Sequence, residues 1–552
     1  MARRERSVHW LNEQAEENHL NRRECGMSKD INRPKADSTL IGRRDVLKTG
    51  LLLGTGMMLA GAGLRPALAD EPRRGGTLRV GLGAAGAKSS LNPFISTGDM
   101  DFAVAQSIFD RLTDFDKDGN LYNKLADDFT HNAEGNVWKI KLKKGVVWHD
   151  GAPFTAKDVV YTIQYILNSD NKADAYPNLA PLMEPKGVRA LDANTVEVEL
   201  KQPYALLPQV LGSKVMFLMK DGTTDFDKPI GTGPFKFVSW SRGQRVTLAR
   251  SDNYRTPDQP YLDGVEFIAI NDPTARMNAL VANQVDAVAQ LDGSLARLIE
   301  ANPALTLLRS KSGATTDQFM MTNLKPFTDV RVRQAFRLMI DRQQLLDNAL
   351  SGYGRIGNDL HCITDPDYAS ELPQRAYDPD QAKSLLKQAG FDNSQAITLY
   401  TSDAAPGMQA SATLIANQAK KIGVNIELLV VPPDSYYSGP NFKKTQMGSS
   451  DWGQHTLESQ FGQGYARGVY WNEPDWTSDE FDKWVSKART TFDGPKRREY
   501  YVEAQKVLWN EGAYIIWGFR DLLDAASAKV KNIVPSTQRN LGYYQFESVY
   551  LG

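Results

Sequence analysis

The sequence predicts an α/β protein, and three observations predict it. Short stretches with period-two apolar alternation, such as Thr77–Gly81 and Val137–Leu142, read as strands. Two Asp-Pro pairs, Asp272-Pro273 and Asp378-Pro379, read as helix starts, with Asp at the cap and Pro in the first turn. Finally, Ile397–Tyr400, residues 408–421 and Val424–Val430 follow one another as strand, helix and strand. That unit calls for parallel pairing and a right-handed crossover.

The first segment reads as a leader. Arg43-Arg44 precede Val46-Leu47-Lys48, a Gly-interrupted apolar stretch runs from Leu51 to Leu64, and Ala67-Leu68-Ala69 has the A-x-A form of a cleavage site. About 20 apolar residues are wanted to span a bilayer, and this stretch is shorter. It resembles a twin-arginine (Tat) leader, with Val46 where Phe is commoner. No Cys follows the cleavage site, so a lipoprotein is not expected. Met27 is the expected true start. The leader carries 12 basic and 8 acidic residues, and its removal takes the net charge from −1 to −5. A soluble, exported, periplasmic protein is the expectation.

Later elements follow the same logic. Val137–Leu142 ends in a Lys143-Lys144-Gly145 turn. Thr155 with Asp158 three residues on forms a capping-box pattern, opening a helix with Val159, Ile163 and Ile166 on one stripe. Val196 and Val198 lie in an alternating strand. The helix begun at Asp378-Pro379 buries Ala382, Leu385, Leu386 and Ala389 and stops at Gly390. Ser478 caps a helix containing Phe481, Trp484 and Val485. At 552 residues the chain has room for two to four domains, at roughly 100–200 residues each. No repeat, low-complexity tract or long linker divides it.

Several function classes are disfavoured. With 65 basic and 66 acidic residues, no basic excess points to nucleic acid. Gly81-Leu82-Gly83-Ala84-Ala85-Gly86 matches a dinucleotide fingerprint, but loop residues Ser89–Pro93 stand where a helix must begin. Asp114, Asp116 and Asp118 resemble half a calcium loop, yet Leu125 occupies the position of the bidentate Glu; a polar hairpin turn is expected. His131, His149, His361 and His455 show no zinc spacing. No G-x-S-x-G elbow is present, so an enzyme is not expected. Cys362 is alone once the leader is gone, and is expected to be a buried thiol.

Ordered motifs carry a resemblance. These are Asn92-Pro93-Phe94, Ile108–Leu112, Trp138–Gly151 continuing through Phe154–Val159, Gly231-Thr232-Gly233-Pro234-Phe235, Asp329–Ala335, Tyr377-Asp378-Pro379 and Ala389-Gly390-Phe391. Together they make the chain similar to the family 5 extracellular solute-binding proteins, the dipeptide, oligopeptide and nickel group, from about Gly75 to Asn532. The resemblance implies a two-lobed periplasmic binding-protein fold, type II-like and of cluster C, with an extra domain in the first lobe. It implies lobe I at 70–113 and 229–312, the extra domain at 114–228, lobe III at 313–515 and a return to lobe I at 516–552, after a leader at 1–69. The implied activity is capture of a peptide or peptide-like solute for an ABC permease with separate ATPase subunits, by a monomer without cofactor or metal. Left open are a non-peptide solute in the same fold (sugar, opine-like conjugate, amine or nickel) and, from other classes, an extracytoplasmic hydrolase or a folding helper.

The resemblance also places the site. Peptide binders of the family carry a W-x-x-D-Y-P-D-P-like run whose Asp pairs with the peptide ammonium. This chain has Trp452-Gly453-Gln454-His455-Thr456-Leu457-Glu458 instead, closer to a W-G-R-P-T-x-D branch, with Glu458 at the acid. That branch's N-D-x-P loop corresponds to Asn358-Asp359, with His361 replacing Pro. The expected ligand contacts are Thr97, Gly98, Asn358, Asp359, Trp452, His455 and Glu458, with Glu458 or Asp359 pairing with a cationic group. Tyr465, Tyr470, Trp471 and Trp476 make the same region aromatic-rich.

Overall fold

A computed structural model describes residues 71–552, except Ala84, Ala85, Ala87, Ser96 and Thr97. The leader and Thr97 lie outside the described residues. Strands and helices alternate as expected. Thr77–Leu82 and Val137–Leu142 are strands, and Ala156–Leu167 is a helix whose Asp158 carboxylate accepts from the Thr155 backbone N–H at 2.6 Å. Asp272 and Asp378 cap their helices by accepting from the N–H groups of Ala275 and Gln381. Ile397–Thr401 and Ile426–Val430 pair in parallel around the Met408–Lys421 helix, as the βαβ reading requires.

One hydrogen-bonded path joins most strands. It runs through Ile426–Val430, Ile397–Thr401, Met447–Trp452, Leu305–Met320, Gly518–Ser527, Ala287–Val288, Thr77–Leu82, Gly264–Ala269, Arg245–Arg250 and Phe235–Ser241. The first three strands pack on one core, around Phe336, Leu399, Ile415 and Trp517. The last five belong mainly to another, around Leu78, Phe102, Phe267 and Phe546. Leu305–Met320 and Gly518–Ser527 cross between these halves. Their ladder is regular from Leu305 to Lys311, breaks, and resumes at Thr315 opposite Phe519. Ser312, Gly313 and Ala314 thus bulge opposite Arg520, with Ser312 Oγ donating to the Arg520 carbonyl at 3.0 Å. Such bulges bend a strand and raise its local twist.

A separate four-stranded antiparallel sheet, Ala126–His131, Val137–Leu142, Thr195–Leu200 and Met183–Asp192, is packed on the Ala156–Leu167 helix. The motifs His149-Asp150-Gly151 and Gly231-Thr232-Gly233 meet where this sheet joins the rest. His149 N–H donates to the Gly231 carbonyl and Gly231 N–H to His149 Nδ1. A Cβ on Gly231 would stand 1.8 Å from the Ile108 carbonyl oxygen, so only glycine fits there.

Beside this junction lies a buried charge network. Asp110 meets Arg255 at 2.6 Å and Lys124 at 3.3 Å; Asp114 meets Lys124 and Arg111, each at 2.9 Å. Burial opposes ionisation of Asp110, but Arg255 and Lys124 overcome it and hold the carboxyl down to about 2.

The chain end closes on the chain start. Arg539 and the Tyr544 hydroxyl both donate to Asp99, Asn540 and the Leu541 N–H both donate to Asp524, and a Cβ on Gly76 would touch Leu551. Asp114–Asp118 form a hairpin turn between Thr113–Phe115 and Leu121–Asn123, with Asp116 accepting from Asp118 and Asn120. After the Gly-rich loop the next helix begins only at Asp99, which leaves no helix directly behind Gly86 for a nucleotide phosphate. Cys362 is a buried free thiol.

Candidate ligand-binding site

The expected contact residues divide into two groups. Asn358 and Asp359 sit inside the second half. Asn358 accepts from the Arg375 backbone N–H and the Trp509 indole and donates to the Pro373 carbonyl. Asp359 is wholly buried and holds Arg342 at 2.8 and 2.9 Å and Arg375 at 2.5 Å. Burial opposes its charge, yet the arginines keep the carboxyl below the usual range. Glu458 is engaged in the same way: Arg489 at 2.8 Å, and the hydroxyls of Tyr204 and Tyr501, each at 2.9 Å. Tyr204 comes from the segment of the four-stranded sheet, so Glu458 ties that segment to the second half. The carboxylates expected to meet a cationic ligand group are therefore both matched by arginines of the chain itself. An ion pair between sequence-distant residues leaves no local mark, which is why the sequence reading could not see them.

Trp452 ends the Met447–Trp452 strand with its ring buried and its indole N–H donated to Glu473 at 3.1 Å. Glu473 also accepts from Ser450 Oγ at 2.7 Å and the Tyr514 hydroxyl at 2.6 Å. No cation among the described residues forms an ion pair with it, and burial pushes its carboxyl up to about 7. His361, which replaces the family's Pro, lies beneath the same ring and bridges the Tyr465 hydroxyl at 2.7 Å and Asp317 at 3.2 Å. Tyr465 and Trp476 are core residues, whereas Tyr470 and Trp471 are exposed.

His455 and Gly98 face elsewhere. The His455 ring lies edge-on to Trp452, with centroids 5.6 Å apart, and is half-buried. Its charged form is strongly disfavoured, first by burial and then by Lys214, His361 and Arg539. These charges come from different parts of the fold. Lys214 follows the short Leu207–Leu211 helix, beyond the four-stranded sheet; Arg539 comes from the C-terminal return; His361 and His455 belong to the second half. His455 thus lies within electrostatic range of residues from separate parts of the fold. Gly98 stands at the start of the Asp99–Ile108 helix, and Asp99 is the carboxylate that holds Arg539, at 2.8 Å. The two expected regions, Gly98 from the first half and His455 from the second, are linked through Arg539.

Sequence reasoning did not single out Lys214, Arg539 or Asp99. Lys214 in Gly212-Ser213-Lys214 reads like any surface lysine, and Arg539 lies in a polar tail; neither carries a periodic or motif signal. Among the described residues no group of three or more His, Cys, Asp or Glu is arranged to hold a metal ion. No helix among them is long and apolar enough to cross a membrane.

The comparisons with known proteins agree with this architecture. The family described as bacterial extracellular solute-binding proteins, family 5 Middle, matches residues 120–468. The glutathione-binding protein GsiB of Pectobacterium atrosepticum is 26% identical over 476 residues, covering 81% of this chain and 90% of that protein. The DppA binding protein of Helicobacter pylori, solved with the peptide STSA, superposes with a TM-score of 0.74 at 23% identity, covering 87% of this chain and 98% of that one. NikZ of Campylobacter jejuni, solved with Ni(L-His), superposes with a TM-score of 0.73 at 24% identity, over 85% and 99% of the two chains. One fold thus holds a tetrapeptide in one protein and a metal–amino-acid complex in another, and these relatives are binding proteins rather than enzymes. A match across well over half the chain, with the two-lobed α/β fold to accompany it, means that the protein belongs to family 5 of the bacterial extracellular solute-binding proteins.

Proposed function

We propose that this protein captures a small peptide or peptide-like solute between its two halves outside the inner membrane and hands it to an ABC permease served by separate ATPase subunits. What supports the reading is the family match over residues 120–468, together with two separate cores joined by the crossing strands Leu305–Met320 and Gly518–Ser527. A solute touching both halves at once favours the closed arrangement, and that differential affinity drives closure. The break at Ser312–Ala314 in the crossing strands is the proposed hinge. It adjoins the site loop, since a Cβ on Gly313 would stand 2.1 Å from Gln454 Oε1.

On this reading the division into lobe I (70–113 and 229–312), an extra domain (114–228), lobe III (313–515) and a return segment (516–552) is a working division. The cut at 313 is supported by the ladder break. The return strand begins while still paired to Gly354–Ile356. Gly98, Thr97 and His455 are the proposed solute contacts. Trp452, Glu458, Asn358 and Asp359 are proposed to hold the loops around them. Export through the Tat machinery to the periplasm as a soluble monomer is proposed from the Arg43-Arg44 leader; replacing both arginines with lysine should leave the protein in the cytoplasm.

A non-peptide solute is the second reading. It is favoured by one observation: Asp359 and Glu458 are already matched, so neither stands open for a peptide ammonium. A thermal-shift screen of ligand-stripped protein separates the readings. The panel holds di- and tripeptides, glutathione, sugars, amino-acid conjugates, amines and nickel–histidine. A ligand at a hundredfold excess over its Kd stabilises the folded state by roughly 2.7 kcal/mol. Shifts with peptides or glutathione support the first reading, and shifts confined to another class support the second. No shift with any compound, on folded protein, counts against solute capture.

A further inference from the structure

We infer that the turn between the Asp479–Arg489 and Gly494–Glu511 helices is a latch: Phe492 in this turn plugs a slot in the four-stranded sheet and favours the closed arrangement of the two halves without touching the solute. The inference rests on the reading above for one point, that the halves move against each other.

The chain path decides which way the sheet travels. The chain enters the segment of the four-stranded sheet from the first half at Thr113 and returns to that half at Gly231, so its covalent links at both ends run to the first half. Lys124 on Asp110, at 3.3 Å, and the His149 N–H on the Gly231 carbonyl, at 2.9 Å, reinforce the joint. Contacts between the sheet and the second half are non-covalent, and they gather along one seam. The Phe492 ring lies against His131 and Trp138, with centroids 4.2 and 5.9 Å away. Between those two side chains the hairpin turns at Gly135, in the left-handed region with φ +74°. Its missing side chain makes the slot, because a Cβ there would overlap the Phe492 ring. Beside the slot the Ala205 N–H donates to the Arg489 carbonyl at 2.7 Å, and the Tyr204 hydroxyl donates to Glu458 at 2.9 Å.

Three kinds of contact thus cross the same seam: packed rings, a main-chain hydrogen bond and a hydrogen bond to a charged carboxylate. Each is favourable when made. Buried residues on the two sides, Trp138 and Tyr204 on one and Leu457 and Tyr501 on the other, belong to one apolar cluster. The latch is stiff on its own side. Trp484 and Tyr500 stack across the helix pair with centroids 5.8 Å apart, and Asp493 caps the second helix by accepting from the Lys496 N–H at 2.8 Å. Phe492 is therefore presented by a braced helical hairpin. Parting of the halves carries Gly135, His131 and Ala205 away from Phe492 and Arg489, so the seam exists only in the closed arrangement. A contact of this kind raises the closed fraction before any solute arrives, and with it the apparent affinity for every solute by the same factor.

The test is hydrogen exchange on the purified, ligand-stripped protein, read at single amides. The Ala205 N–H bonds across the seam, whereas the Leu200 N–H bonds to the Asn136 carbonyl, at 2.7 Å, within the sheet segment. Ala205 should be less protected than Leu200 in the wild type, because the latch opens without unfolding the sheet. Phe492→Ala should lower Ala205 protection about tenfold further and leave Leu200 unchanged. Tyr204→Phe keeps the ring, drops the hydroxyl and should lower Ala205 protection about threefold or more; it decides the question if Phe492→Ala fails to fold. Equal protection of Ala205 and Leu200 in the wild type, or Ala205 protection unmoved by these variants, overturns the latch. The measurement needs no solute, so its failure is distinct from a failure of solute capture, which the thermal-shift panel reads.

Discussion

The buried network around Asp110 and the cations Lys214 and Arg539 are built from similar residue types, and they differ in how their charges are matched. At Asp110, every charge meets an opposite one within the chain: Arg255 and Lys124 on Asp110, Lys124 and Arg111 on Asp114. Asp359 with Arg342 and Arg375, and Glu458 with Arg489, follow the same pattern. Elsewhere, among the described residues, Lys214 makes no hydrogen bond or ion pair, and Arg539 meets Asp99 only through its Nε. Buried charge is tolerated only when matched. A carboxylate matched by arginines of its own chain is therefore committed to the fold, even at a position that resemblance assigns to the ligand.

The sharpest way to break this comparison is to remove an acid from the matched network. Asp110→Ala leaves Lys124 and Arg255 buried without compensation, and should cost about 3–5 kcal/mol of stability, read from the urea midpoint. A loss below 1 kcal/mol would mean that water already reaches the network.

Glu473 sharpens the contrast from the other side, as a buried carboxyl matched by hydroxyl and indole donors but by no cation. Its folded value of about 7 lies above the unfolded 4.5. Its contribution is therefore complete below pH 4.5 and is lost as the pH rises to 7, on the order of 3 kcal/mol. Asp524, also raised to about 7, acts with the same sign. Glu473→Gln should flatten its share of the slope in melting scans from pH 4.5 to 8. A slope identical to wild type would show that Glu473 is ionised throughout.

Gly231→Ala tests packing without charge. The added methyl meets the Ile108 carbonyl, and should cost about 1–3 kcal/mol. The smallest effect belongs to Lys214. Lys214→Met should change stability by less than about 0.5 kcal/mol, because no hydrogen bond or ion pair to the described residues is lost. A clear destabilisation would place Lys214 with the matched networks.

Much of the architecture was legible in the residues. Alternation marked Val137–Leu142 and the Thr155–Asp158 pair marked a helix start, because each feature is local and physical. The site was legible only in part. His455 and Gly98 lay in segments that resemblance pointed to. Asp359 and Glu458 were read as open acids because their arginines lie 16 to 31 residues away in sequence, where no period or motif connects them. Arg539 carried no signal, since its ion pair with Asp99 spans 440 residues and exists only after folding.

The closure of the chain end on Asp99 has a consequence for biosynthesis. The strand that opens the first half, Thr77–Leu82, is made early, but Asp524, Arg539, Tyr544 and Leu551 emerge from the ribosome last. A nascent chain short of its final dozen or so residues has every strand of the main sheet and still lacks Arg539. The first half therefore forms its sheet before it gains the contacts of Arg539 and Tyr544 with Asp99, and the helix that begins at Asp99 waits for partners made more than 400 residues later.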